Sequence, residues 1–153
     1  MSHTVTTSWQ EGLRFEADVQ GHTLLLDVPA RVGGQDAGPI PKPLLLAALS
    51  GCTGMDVASI MNQSPTPLTQ LQIEVHGELT TSAPITYAGI TLSYTAEGPA
   101  AAEARLIQAV RRSLDKICGV AHLLKQVVPL AYTITFNGTR VHEGGFTPRE
   151  AVA

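Results

Sequence analysis

Polar and apolar residues alternate over three short stretches at the start of the chain. Val5, Thr7 and Trp9 share one side of the first; Leu13, Phe15, Ala17 and Val19 oppose Arg14, Glu16 and Asp18 in the second; Thr23 to Val28 is the third. A period of two marks half-buried strands. Gln10-Glu11-Gly12 and Gln20-Gly21-His22 supply the turns between them, so an antiparallel meander is expected. Further on, Leu71, Ile73 and Val75 alternate with Gln70, Gln72, Glu74 and His76. Ile85, Tyr87, Ile90, Leu92 and Tyr94 make the matching strand, reached through Thr81-Ser82-Ala83-Pro84, with Ala88-Gly89 a candidate bulge. Leu130, Tyr132, Ile134 and Phe136 form a last strand.

Pro41 to Met61 has a different period. Pro41 and Pro43 suit the first turn of a helix, and Pro65 and Pro67 forbid its continuation. Leu44 to Leu49 is apolar on every side, which places this helix inside the molecule. Its unbroken apolar length is too short, and Asp56 too polar, for a membrane span. Ala47, Gly51, Gly54 and Ala58 recur at i, i+4, i+7 and i+11, a face nearly without side chains. Another backbone is expected close against it.

A second helix begins after Gly98-Pro99. Leu106, Ile107, Val110, Leu114 and Ile117 form its apolar stripe, opposite Glu103, Arg105, Gln108, Arg111, Arg112 and Asp115; it is amphipathic and therefore peripheral. Cys118-Gly119 redirects it, and a shorter helix continues to Val127, before Pro129. The order βββ-α-ββ-α-α-β predicts an α+β fold. Pro29 to Pro41, rich in glycine and proline, is a loop and a candidate pocket wall. The pattern fades after Phe136, so residues 138–153, with Gly144-Gly145 and Pro148, are expected as a loose tail on a domain spanning 1–137.

Composition narrows the function. A chain of 153 residues suits one domain. With 44% hydrophobic and only 15% charged residues, it is expected to cover further surface by oligomerising. The net charge of −3 provides no basic patch for nucleic acid and no polybasic segment for a membrane. Met1-Ser2-His3-Thr4 leads directly into strand residues without a signal sequence, which favours the cytoplasm and reduced cysteines. Phosphate loops and dinucleotide fingerprints are absent, and Ser50 and Thr53 lack the Gly-x-Ser-x-Gly context of a serine hydrolase. Two cysteines cannot build a zinc finger, and the histidines show no ligand spacing, so no metal is expected.

Cys52 admits two readings. It is a small apolar residue in a packed helix, or, in Ser50-Gly51-Cys52-Thr53-Gly54, a thiol on a bare helix surface that a small substrate can approach. Asp56, one turn on, lies on its face; a carboxylate alone raises a thiol pKa, so a reactive Cys52 needs a cation nearby. Cys118 is either packing at a helix junction or a thiol favoured by free N–H groups at a helix start.

The segments Pro41 to Met61 and Ser113 to Leu124 (SLDKICGVAHLL) together resemble the OsmC/Ohr superfamily of thiol-dependent hydroperoxide reductases. The shared features are a proline-led LLLAAL helix running into Gly-Cys52-Thr, then Asp56-Val57 and Ser59-Ile60, and Cys118-Gly119-Val120 at a later helix start. Trp9-Gln10-Glu11-Gly12-Leu13 and Gly21-His22 resemble the YhfA-like subgroup. The resemblance extends to about Phe136 and implies an OsmC-like fold: an antiparallel sheet with a buried central helix, in an intertwined homodimer. It also implies that Cys52 attacks an organic hydroperoxide and that Cys118 resolves the sulfenic acid to a disulfide. A dithiol, such as a lipoyl group, would regenerate the thiols without a prosthetic cofactor. Leu49, Met55 and Asp56 are the expected pocket residues. Peroxidase members carry a glutamate about ten residues before the cysteine, which orients a thiolate-activating arginine; here Lys42 and Pro43 occupy those positions. Arg14, Arg31 and Lys42 are the candidate activating cations. The alternative is a binding protein for a small apolar ligand on the same fold, favoured by the missing glutamate.

Overall fold

A computed structural model describes residues 2–148. The chain divides into two compact units, residues 1–45 and 46–153.

The first unit is the expected meander: β1 (Val5–Glu11), β2 (Arg14–Val19) and β3 (His22–Leu26), antiparallel in that order. Gln20 and Gly21 both have positive φ, the backbone of a tight two-residue hairpin turn, and Val19 pairs with His22 across it. Pairing sets Val5 opposite Val19 and Trp9 opposite Phe15, so the apolar positions share one face. Much of that face is uncovered; Trp9 is 64% exposed. Below β3 the loop is organised by Asp27. Its carboxylate accepts the backbone N–H groups of Val28 (2.8 Å), Gln35 (3.0 Å) and Ala37 (3.1 Å). These bonds hold the carboxyl below its ordinary value, the Val28 and Ala37 N–H groups most, with Gln35 and the charge of Arg14 adding to them against the opposing effect of burial. The loop includes a single 3₁₀ turn, Ala30–Val32.

The second unit carries a four-stranded sheet in the order β4 (Gln70–Leu79), β5 (Tyr87–Glu97), β6 (Leu130–Phe136), β7 (Thr139–Phe146). β4 and β5 form the expected hairpin, with Ala88 extra between the pairs Glu78–Gly89 and Leu79–Tyr87, the bulge read from the sequence. The expected sheet is antiparallel, and β4–β5 and β6–β7 pair that way, but β5 and β6 do not. Instead β6 runs parallel to β5, because two helices intervene and return the chain in the same direction. α2 (Glu103–Arg112) and α3 (Gly119–Leu124) are those helices, separated by a π-type stretch, Ser113–Ile117.

The loose tail expected from Gly138 is in part a strand. Asn137 and Gly138 both have positive φ and place Thr139 opposite Phe136, starting β7. An Asn-Gly pair is a strong hairpin signal, but the glycines at 144 and 145 disguised the second strand of that hairpin. Gly144 is needed there, since a Cβ would meet the ring and hydroxyl of Tyr132. Residues 149–153 of that expected tail lie outside the described residues.

The core is a cluster that includes Leu49, Val57, Leu92, Tyr94, Leu106, Val110, Leu114, Cys118 and Ile134. α1 (Leu44–Asn62) contributes one stripe, Leu49, Thr53, Val57 and Met61. The sequence predicts a helix buried all round, but only this stripe is fully buried, and Met55 is 75% exposed. A helix apolar on every side finds neighbours within one chain on one side only. Its small face does not meet another backbone either: a Cβ on Gly51 would touch nothing within 4 Å, and one on Gly54 would meet only Ile73 Cδ1 at 3.0 Å. By length and composition α1 could cross a membrane. Its buried stripe and the bond from Ser113 to Asp56 are instead those of a core helix.

Candidate functional site

α1 and the segment after α2 bring together three groups far apart in sequence. The Sγ atoms of Cys52 and Cys118 and a carboxylate oxygen of Asp56 all lie within 4.8 Å of one another. Cys52 and Asp56 share a face of α1, one turn apart; both are partly buried. Cys118 is 2% exposed and is placed by the π-type stretch. Its N–H reaches back five residues to Ser113 O at 2.9 Å, after which the chain leaves helical geometry at Cys118 and begins α3. Cys118 serves as the cap of α3: its sulfur accepts the Ala121 N–H at 3.3 Å, the role usually taken by a serine or aspartate oxygen.

That bond favours a thiolate, but it does not win. Burial chiefly, and then the hydrogen-bonded Cys52 thiol, push Cys118 up to about 11, against the Ala121 and Val120 N–H groups, which pull it down. At neutral pH Cys118 is a protonated thiol beside Cys52.

Beneath the thiols runs a buried line of hydroxyls. Ser113 Oγ lies 2.8 Å from Asp56 Oδ2 and 2.9 Å from Thr53 Oγ1, and Thr53 Oγ1 lies 2.7 Å from Tyr94 Oη. Ser113 has one hydroxyl proton. When it is given to an ionised Asp56, Thr53 and Tyr94 each donate one step along the line. Burial raises the Tyr94 phenol well above its ordinary value, with the Thr53 bond opposing, so it remains a donor. Among the described residues no buried side-chain nitrogen or oxygen lacks a partner. Sequence reasoning missed Ser113 and Tyr94 here. The available signal was Ser113's position, two turns after Leu106, on the apolar stripe of α2 where a polar residue needs a buried partner.

The other expected site residues have surroundings of their own. Leu49 is fully buried in the core and Met55 is 75% exposed, while Asp56 adjoins the thiols. Arg14, Arg31 and Lys42 belong to the first unit. There Arg14 pairs with Glu11 at 3.1 Å and donates to Gln35 Oε1 at 3.3 Å, and Arg31 is exposed on its 3₁₀ turn. A cavity of about 740 Å³ is lined by Gln108, Arg111, Arg112, Asp115, Lys116 and Phe146 and involves neither cysteine.

The chain is similar to known proteins in sequence and in fold. Over 126 residues the chain is 29% identical to protein YhfA of Escherichia coli K12, covering 82% of this chain and 91% of that one. An OsmC-like protein from Mycoplasma pneumoniae superposes with a TM-score of 0.75 at 17% identity, covering 89% of this chain and 97% of the other. A Legionella pneumophila structure described as an organic hydroperoxide resistance protein OsmC gives 0.62 at 14% identity, over 88% and 97% of the two chains. The family described as OsmC-like protein matches residues 33–133, which include both cysteines, Asp56 and Ser113. The chain belongs to the OsmC-like protein family.

Proposed function

We propose that the chain is a cysteine-based reductase of organic hydroperoxides, acting in defence against oxidative or osmotic stress. The observation that carries this is the meeting of Cys52 and Cys118, with sulfur atoms within 4.8 Å, on two elements that local sequence does not join. The Cys52 thiolate attacks the hydroperoxide O–O bond; the alkoxide leaves as an alcohol after taking a proton, and Cys52 becomes a sulfenic acid. Cys118 then displaces water from that sulfur, closing a disulfide. Asp56 stands within 4.8 Å of both sulfurs to relay the Cys118 proton to the hydroxyl that leaves as water. A dithiol of the lipoyl class reopens the disulfide by exchange. The sulfur atoms carry the electrons, so no prosthetic group is required.

The same reading includes a homodimer and a cytoplasmic site of action. The outward side of α1, with Leu45, Met55 and an open Gly51, and the uncovered apolar face of β1–β3 are the surfaces that a second copy would cover. A second reading, binding of a small apolar ligand without turnover, is favoured by two observations. The Arg14 guanidinium is engaged by Glu11 and Gln35, and Lys42 and Pro43 stand where peroxidases of this family place glutamate. A stopped-flow assay with cumene hydroperoxide and dihydrolipoamide separates the two. The reductase turns over faster than a Cys52→Ser variant; equal rates would leave only the binding reading.

A further inference from the structure

Cys52, Asp56 and Cys118 also form a donor set of a different chemical kind. We propose that the reduced protein binds one thiophilic divalent cation of the zinc type through Cys52 Sγ, Cys118 Sγ and an Asp56 carboxylate oxygen. The inference does not depend on peroxidase activity. Sequence spacing gave no hint of it, because the two sulfurs come from separate helical segments.

The dimensions fit. A tetrahedral ion with sulfur bonds of about 2.3 Å and oxygen bonds of about 2.1 Å has donor–donor edges of roughly 3.5–3.8 Å. The three donor atoms already lie within 4.8 Å of one another, a difference that small side-chain rotations cover. The composition selects the metal: two sulfurs and one oxygen suit zinc, cobalt or ferrous iron, whereas magnesium and calcium demand oxygen ligands in larger number. Outer partners are in place as well. Ser113 Oγ holds Asp56 Oδ2 at 2.8 Å and is itself tied to Thr53 and, through it, Tyr94. The Ala121 N–H lies on Cys118 Sγ at 3.3 Å. Supports of this kind orient ligands and tune affinity.

Three protein donors leave a fourth position for water or an outside ligand. Cysteine binds such an ion as the thiolate, so binding releases protons and tightens as pH rises. An occupied site keeps both sulfurs from oxidants, and a disulfide between them removes two of the three donors. The two states exclude each other, and the linkage is reciprocal.

Cobalt is the probe, because thiolate ligation gives it a charge-transfer absorption that nitrogen or oxygen ligation does not. Titration of the fully reduced, full-length protein should saturate this absorption at one Co²⁺ per chain, with release of about two protons per ion and displacement by Zn²⁺. Prior alkylation of the thiols should abolish it. Cys52→Ser and Cys118→Ser should each lose part of the band, and Asp56→Asn should keep the band but weaken binding about tenfold or more. Circular dichroism checks that each variant is folded, and the wild-type titration needs no variant at all. A wild type without the thiolate band overturns the site; Asp56→Asn binding with unchanged affinity overturns Asp56 as its third ligand.

Discussion

Ser113 donates its hydroxyl proton to Asp56 at 2.8 Å, across the gap between the segment that carries Cys118 and the helix that carries Cys52. Ser113 is fully buried, and its backbone carbonyl also accepts the Cys118 N–H. One residue thus fixes both the carboxylate and the second thiol.

Replacing Ser113 by Ala should therefore destabilise the protein by about 1–3 kcal/mol, the cost of leaving buried polar partners unsatisfied. Urea unfolding of the variant measures it. A change within about 0.5 kcal/mol, as for surface substitutions, would show that Asp56 and Thr53 find other partners.

Alkaline pH should erode stability through Cys118. Its pKa is raised in the folded state to about 11 from an ordinary 9.0, so folding favours the protonated thiol. Below pH 9 this contribution is complete; between 9 and 11 only the folded state keeps the proton, and stability falls as pH rises. Thermal melts of the wild type and Cys118→Ala should converge across this window. Parallel curves would mean that the thiol is not held protonated.

Gly51 offers a test of the proposed dimer. A Cβ there meets nothing within the chain, so Gly51→Ala in an isolated protomer should stabilise α1 by about 0.5–1 kcal/mol. Gly51→Leu should shift the wild-type dimer toward monomer in sedimentation, through overpacking against the second copy. A wild type that sediments as a monomer at micromolar concentration removes the dimer.

Acid should loosen the loop after β3. The Asp27 carboxyl is depressed below an ordinary 3.8 by the backbone N–H groups that it accepts. Its stabilisation is complete above that value and is lost as pH falls through the lower folded one. Asp27→Asn should accordingly differ from wild type in melting temperature at neutral pH and approach it in acid. A Gly34→Ala change should harm the same loop at every pH, because its Cβ would run into Val28 O and Asp27 Oδ1. A loop that accepts Ala at 34 without loss would show that these bonds rearrange freely.

Strands were legible where side chains announce their faces: Leu71, Ile73 and Val75, or Leu130, Tyr132 and Ile134, alternate because one side is buried. β7 was not, since Gly144 and Gly145 give no side chain to alternate and its signal lay in the Asn137-Gly138 turn instead. The cysteines were singled out through their motifs, and Asp56 through its helical spacing from Cys52. Ser113 escaped because its importance lies in a bond to a residue far away in sequence, which local pattern does not encode. The exposure of α1 escaped for a related reason: an all-apolar helix shows that its faces want cover, but not which molecule provides it.

The π-type stretch at Ser113–Ile117 makes residue count, rather than residue identity, the sensitive variable here. Its Cys118 N–H bonds to Ser113, one residue further back than an α-helix allows. Deleting any one residue between them would restore α-helical bonding and turn the next thiol by about 100° about the axis, away from Cys52. Asp115, Lys116 and Ile117 are all exposed, so the interval of five from serine to cysteine, more than the side chains between them, sets where the thiol stands.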